Sequence, residues 1–225
     1  MSQPSRQTTL RPFALITSAV LALATMAAAP PEKSVPTSKA FPYLENYLKM
    51  PVASRSRFTL GYFLTIGGKP ATDVKVWLVD GAKRTPMPIG AEGVVLRTPN
   101  LGELERNTTV VLDMSPDTKV GLQMVIEPLV PKSTEMDAQA LSLATVQADA
   151  AVRKAAGVLG FAAPHLTRVY FQGGGPLAEA VFPDGHAVKL RAMKNFVFYD
   201  LDAEHGAKSI RFSKTPTIAM IGPAQ

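Results

Sequence analysis

Between Arg57 and Ile66 the chain alternates strictly. Phe58, Leu60, Tyr62, Leu64 and Ile66 fall on one side of an extended segment, and Arg57, Thr59, Gly61, Phe63 and Thr65 on the other. A period of two is the mark of a half-buried strand. The same alternation returns in Val74, Val76 and Leu78, and again in Val120, Leu122, Met124 and Ile126. Further strand patterns occur in "TTVVLDM", "LTRVYF", "LAEAVF", "HAVKLR", "NFVFYD", "KSIRFS" and "TIAMIG". Glycine, proline and aspartate separate them, as in Gly67-Gly68-Lys69-Pro70 and Gly173-Gly174-Gly175-Pro176. Short strands spaced by turns predict a sandwich or barrel-like sheet.

Two segments switch to the helical period. In "FPYLENYLKM", Tyr43, Leu44, Tyr47 and Leu48 recur at steps of three and four, and Pro51 stops the pattern. The segment from Thr134 to Phe161 is rich in alanine and free of proline, with Leu141, Ala144, Ala148, Val152, Ala155 and Leu159 on one face. Thr134, three residues before Asp137, is read as its capping residue. Gly157 and Gly160 mark its end. The expected fold is mostly β: two small sandwich-like lobes joined by one long alanine-rich helix. A single α+β domain is the alternative.

The pattern also sets boundaries. Residues 1–27 have the layout of a secretory signal peptide: Arg6 and Arg11, then an apolar run, then small residues before Pro30. The run is short for a membrane span of roughly 20 residues, so cleavage is expected rather than anchoring, with no transmembrane span afterwards. Proline, serine and charge dominate 28–40, which is read as a disordered linker. The N-terminal β lobe with its short leading helix takes 41–131, the connecting helix 132–163 and the C-terminal β lobe 164–225.

Composition narrows the chemistry. There is no cysteine, hence no disulfide, thiolate nucleophile or cysteine-held metal. Without Arg6 and Arg11, 22 basic residues stand against 18 acidic ones, a net of +4. These cations are dispersed, which argues against nucleic acid as a partner. A periplasmic or extracellular bacterial location follows from the leader and the missing thiols.

Candidate chemistry is thin. His165, His186 and His205 stand alone, with no metal-binding spacing. "YDLDAEHG" alternates Asp200, Asp202 and Glu204, but glycine falls one place late for a calcium loop. "QGGGPL" lacks the lysine and helix of a phosphate loop. No cofactor and no metal is expected. Lys189 and Arg191, two apart, are placed on one strand face as a contact for an anion. Trp77 and Phe63, each opposite the apolar face of its strand, are nominated as a partner patch; burial in the core is the competing expectation. Asp80-Gly81 and Asp184-Gly185 lie in similar surroundings 104 positions apart. Duplication is one explanation, and the frequency of Asp-Gly in hairpin turns is the cheaper one.

The sequence therefore leads to an exported, non-enzymatic binding or envelope-associated accessory module, with an envelope protein, glycan or anionic ligand as partner. A periplasmic hydrolase using Asp, Glu and His residues between the lobes is the alternative.

Overall fold

A computed structural model describes residues 31–106, 108–156 and 164–224. Among the described residues the protein is mostly β, with several antiparallel sheets and one long helix. In chain order the first half contains β1 (Glu32–Pro36), α1 (Thr37–Ala40), α2 (Leu44–Lys49), β2 (Phe58–Ile66), β3 (Lys69–Pro70), β4 (Val76–Asp80), β5 (Lys83–Pro86), α3 (Leu101–Glu105), β6 (Thr109–Asp113) and β7 (Val120–Pro128). The second contains β8 (Glu135–Asp137), α4 (Ala138–Ala155), β9 (Leu166–Gln172), β10 (Ala178–Val181), β11 (Ala187–Lys189), β12 (Arg191–Met193), β13 (Phe196–Asp200), β14 (Ser209–Phe212) and β15 (Ile218–Pro223).

The strands form three sheets, ordered β1-β6-β4-β5, β11-β10-β14-β8 and β12-β13-β9-β15-β7-β2-β3. The two four-stranded sheets have one topology. Replacing β1, β4, β5 and β6 by β8, β10, β11 and β14 converts the first order into the second. The registers agree as well. Val79 stands opposite Thr109 and Val76 opposite Leu112; Val181 stands opposite Ser209 and Ala178 opposite Phe212. The Met87 N–H donates to the Val76 carbonyl at 2.8 Å, and the Leu190 N–H to the Ala178 carbonyl at 2.8 Å. Each half enters its helix directly from an edge strand: the Thr37 N–H donates to the Thr108 carbonyl, and the Ala138 N–H to the Lys208 carbonyl. Isolated bridges at Ile89–Val95 and Phe63–Val94 mark a reduced version of the β12–β13 hairpin.

Two-residue matches in the sequence are weak grounds for duplication, but a shared strand order with shared register is strong. The described chain thus contains two β modules of the same topology. Both Asp-Gly pairs are turns within them, with Gly81 and Gly185 at positive φ, the conformation such turns need. The turn explanation therefore accounts for the Asp-Gly pairs, while the registers, which match Val79 with Val181, set Asp80 against Phe182 rather than Asp184.

The seven-stranded sheet unites the modules. β2 and β7 come from the first, and β9 and β15 from the second. They meet antiparallel at one register pair, Ile126–Ile221. The lobes are thus joined by a shared sheet as well as by the helix. One continuous core runs through both, from Leu78, Val110 and Tyr62 to Phe171, Ile210 and Phe212. α4 lies over this core with Leu141, Ala144, Ala148 and Ala151 inward. Its small side chains let the helix axis approach the sheet.

Three expectations need correction. The segment 28–40 is ordered from Glu32 onward. Pairing β1 with β6 satisfies its backbone along five residue pairs, which its polar composition conceals. α4 is capped by Asp137, whose carboxylate accepts from the Ala140 N–H at 2.9 Å. Thr134 lies too early to cap it, because β8 keeps the chain extended through Asp137. "HAVKLR" is two short strands in different sheets. The expected leader at 1–27 and the expected helix end at 157–163 lie outside the described residues.

Candidate functional site

Trp77 is half-buried on the outer face of β4, where the Arg84 guanidinium covers its ring at 4.5 Å. Arg84 is held there by Glu32 at 2.8 Å. Phe63 is only 9 % exposed and packs with Val125 and Ile218 in a small second cluster. That cluster lies on the face of the seven-stranded sheet turned away from the main core. The two aromatics therefore occupy outer faces of different sheets, and the structure does not bring them together.

Lys189 and Arg191 are also separated. Lys189 is exposed on β11, opposite Glu179. Arg191 begins β12, and Leu190 between them is buried. Alternation puts residues two apart on one face only while the chain stays in one strand. Here the backbone changes sheets at Leu190. Arg191 stays half exposed but pairs with Asp200 at 3.1 Å and Glu204 at 3.5 Å, with its guanidinium 5.0 Å from the Phe198 ring.

The acidic cluster is likewise committed internally. The Asp200 carboxylate accepts from Arg168 Nε at 2.8 Å and from the Asp202 and Ala203 N–H groups. Glu204 accepts from the Asp200 N–H at 2.6 Å. Burial raises the Asp200 carboxyl, but Arg168 and the backbone donors outweigh it and hold the group below its ordinary value. Two carboxylates facing two guanidiniums balance in charge, with Arg191 at the solvent edge of the set. No group of three potential metal ligands occurs among the described residues. The histidines stay dispersed. His165 lies beside Arg153 and Asp149, His186 stacks on Phe182 at 4.2 Å, and His205 is exposed in a turn.

The arrangement with the clearest binding geometry was not singled out from the sequence. It is a groove between α2 and the C-terminal part of α4, above the start of β2 and the part of β7 paired with it. Phe58, Leu60, Met124 and Ile126 form its floor. Tyr43, Tyr47 and Met50 make one wall, and Ala151, Val152 and Ala155 the other, around a volume of about 330 Å³. Tyr47 is fixed on both sides. Its hydroxyl donates to the Phe58 carbonyl at 2.9 Å, and Arg55 lies 5.1 Å from its ring centre. Asn46, Lys49 and Lys154 lie where the groove opens outward. Lys49 is neutralised by Glu45 at 2.5 Å and Glu105 at 3.5 Å.

Tyr43 stands at the rim, 67 % exposed, with φ at 63°. A non-glycine residue in the left-handed region costs free energy and is maintained only by its surroundings. Here Phe41 and Leu44, both buried, clamp the chain on either side of it. The signal in the sequence was slight: alanine at 151 and 155, where a larger apolar residue would have filled the space. No helix among the described residues is long and apolar enough to cross a membrane. No protein family, curated protein or solved structure matches this chain.

Proposed function

We propose that this is an exported, envelope-associated binding module that seats a short apolar segment of an envelope protein in the groove between α2 and α4. The groove itself carries the reading. Its floor and both walls are apolar, it lies where the two modules meet, and an exposed aromatic stands at its rim. Aromatic residues at the edge of an apolar pocket are typical anchors of protein contacts. A volume of about 330 Å³ sits at the small end of the roughly 300–1,000 Å³ range of ligand pockets. It suits one or two inserted side chains. A glycan would find few hydrogen-bonding groups on this floor, so a protein segment is favoured over sugar. The leader-like residues 1–27 supply the export part of the proposal.

The test is affinity capture from envelope extracts with the leaderless chain, run in parallel with Ala155→Arg. Ala155 is exposed on the groove wall, so the arginine obstructs the groove without disturbing the core. A partner enriched by the wild type and lost with Ala155→Arg supports the reading. A partner retained equally by both, or no enriched partner at all, overturns it.

A further inference from the structure

The two modules fill their cores differently, and the difference opens a cavity in one of them. In the second module Phe212 stands opposite Ala178, and its ring meets that of Phe171 at 4.9 Å. The equivalent residue in the first module is Leu112, opposite Val76. Tyr62 occupies the place of Phe171: it is two positions past the strand partner of Ile126, as Phe171 is two past the partner of Ile221. Tyr62 takes its ring contact from Phe41 instead, at 4.9 Å. Leu112, at the ladder position of Phe212, carries no ring, and Phe41 comes from the side to line the space beside it.

What remains is a cavity of about 210 Å³. Leu64, Val76, Met87, Leu112 and Leu122 are among its walls. Lys33 and Lys39 also line it, and no carboxylate does. Lys33 Nζ donates to the neutral Pro116 carbonyl at 2.5 Å. Lys39 is exposed, with no ion pair among the described residues. An apolar interior with an uncompensated positive edge is complementary to an amphipathic anion. The volume lies below the roughly 300–1,000 Å³ of most ligand pockets, too small for a two-chain lipid and suited to one narrow chain.

We propose that the first module binds a medium-chain carboxylate, its alkyl chain inside the sandwich and its carboxylate at Lys39 and Lys33. This site is separate from the α2–α4 groove and independent of the partner proposed there.

The experiment is calorimetric titration of sodium decanoate, below its micellar concentration, into the leaderless chain. Saturable one-to-one binding is expected. Leu112→Phe gives the first module the side chain of the second and should weaken binding about tenfold or more by filling the space. Lys39→Glu, an exposed change that leaves the core intact, should weaken it about tenfold by reversing charge at the mouth. It carries the test if Leu112→Phe fails to fold. Ala155→Arg should leave decanoate binding unchanged. The proposal is overturned by any of four results: no saturable binding, undiminished binding by a folded Leu112→Phe or by Lys39→Glu, equally tight binding of decyltrimethylammonium, or loss of binding in Ala155→Arg.

Discussion

Ile126 and Ile221 face each other across the β7–β15 seam, and each is the counterpart of the other in its own module. A residue paired with its own equivalent lies on the local two-fold axis relating the modules. Both side chains point into the common core, so the seam couples the modules through packing as well as through backbone hydrogen bonds.

That coupling predicts joint unfolding. Ile221→Ala should cost about 3 kcal/mol, within the range for truncating a buried isoleucine, and the loss should be global. Trp77 reports on the first module, while far-ultraviolet circular dichroism reports on both. In urea the two signals should move together to a lower midpoint in the variant. A Trp77 transition that stays at the wild-type midpoint would show that the modules unfold separately.

The Arg168–Asp200 pair should be costly to break. Both side chains are largely buried, so Asp200→Asn leaves Arg168 without its anionic partner, at a cost of about 3 kcal/mol at pH 7. The sign with pH follows from the lowered carboxyl of Asp200. A depressed folded-state value gives stability that is present above the unfolded value, about 3.9, and lost as pH falls through the folded one. The gap between wild type and Asp200→Asn in urea should therefore narrow below about pH 4. A gap independent of pH would assign the cost to packing.

Glu127 should behave in the opposite way. Burial raises its carboxyl, against a weaker opposing pull from Lys132. Its carboxylate lies over Gly61, where a Cβ would come within 2.0 Å of Oε1. A raised folded-state value gives stability that is full below the unfolded value, about 4.3, and lost as pH rises through the folded one. Glu127→Gln should melt higher than wild type at pH 8 and alike near pH 3.5. Equal melting temperatures at both would show that the charge carries no penalty there.

The cap of α4 gives a contrast within three residues. Asp137→Ala should lose about 1 kcal/mol by removing the acceptor for the Ala140 N–H. Thr134→Ala should stay within about 0.5 kcal/mol, the usual range for surface changes, because only its backbone carbonyl is engaged, by the Phe212 N–H. Chemical denaturation of the two variants measures both.

Much of the fold was legible because alternation is a local property. Phe58, Tyr62 and Leu64 were assigned to the buried face from their spacing alone, and all three are in the core. The inner face of α4 was legible for the same reason at Leu141, Ala144 and Ala148. Pairing across the chain was not. β1 looks like a linker until β6 is beside it, and the common sheet depends on Ile126 meeting Ile221 from 95 residues away. The nominated contacts shared this limit. Arg191 looked like a free surface cation because its carboxylate partners lie in another strand and turn. The groove was hidden because a cavity is defined by what is missing between Tyr47 and Ala151, and no residue records that.

The middle position of the seven-stranded sheet belongs to β15, the last strand in chain order. Until Ile218–Pro223 is inserted, β9 and β7 each present an unpaired edge, and neither half-sheet can meet the other. A chain that emerges N-terminus first would have to wait for this keystone. During that interval both borders are open to pairing with foreign strands. A holdase that shields those borders would suit this architecture better than a catalyst of turn formation, since its turns are already set locally.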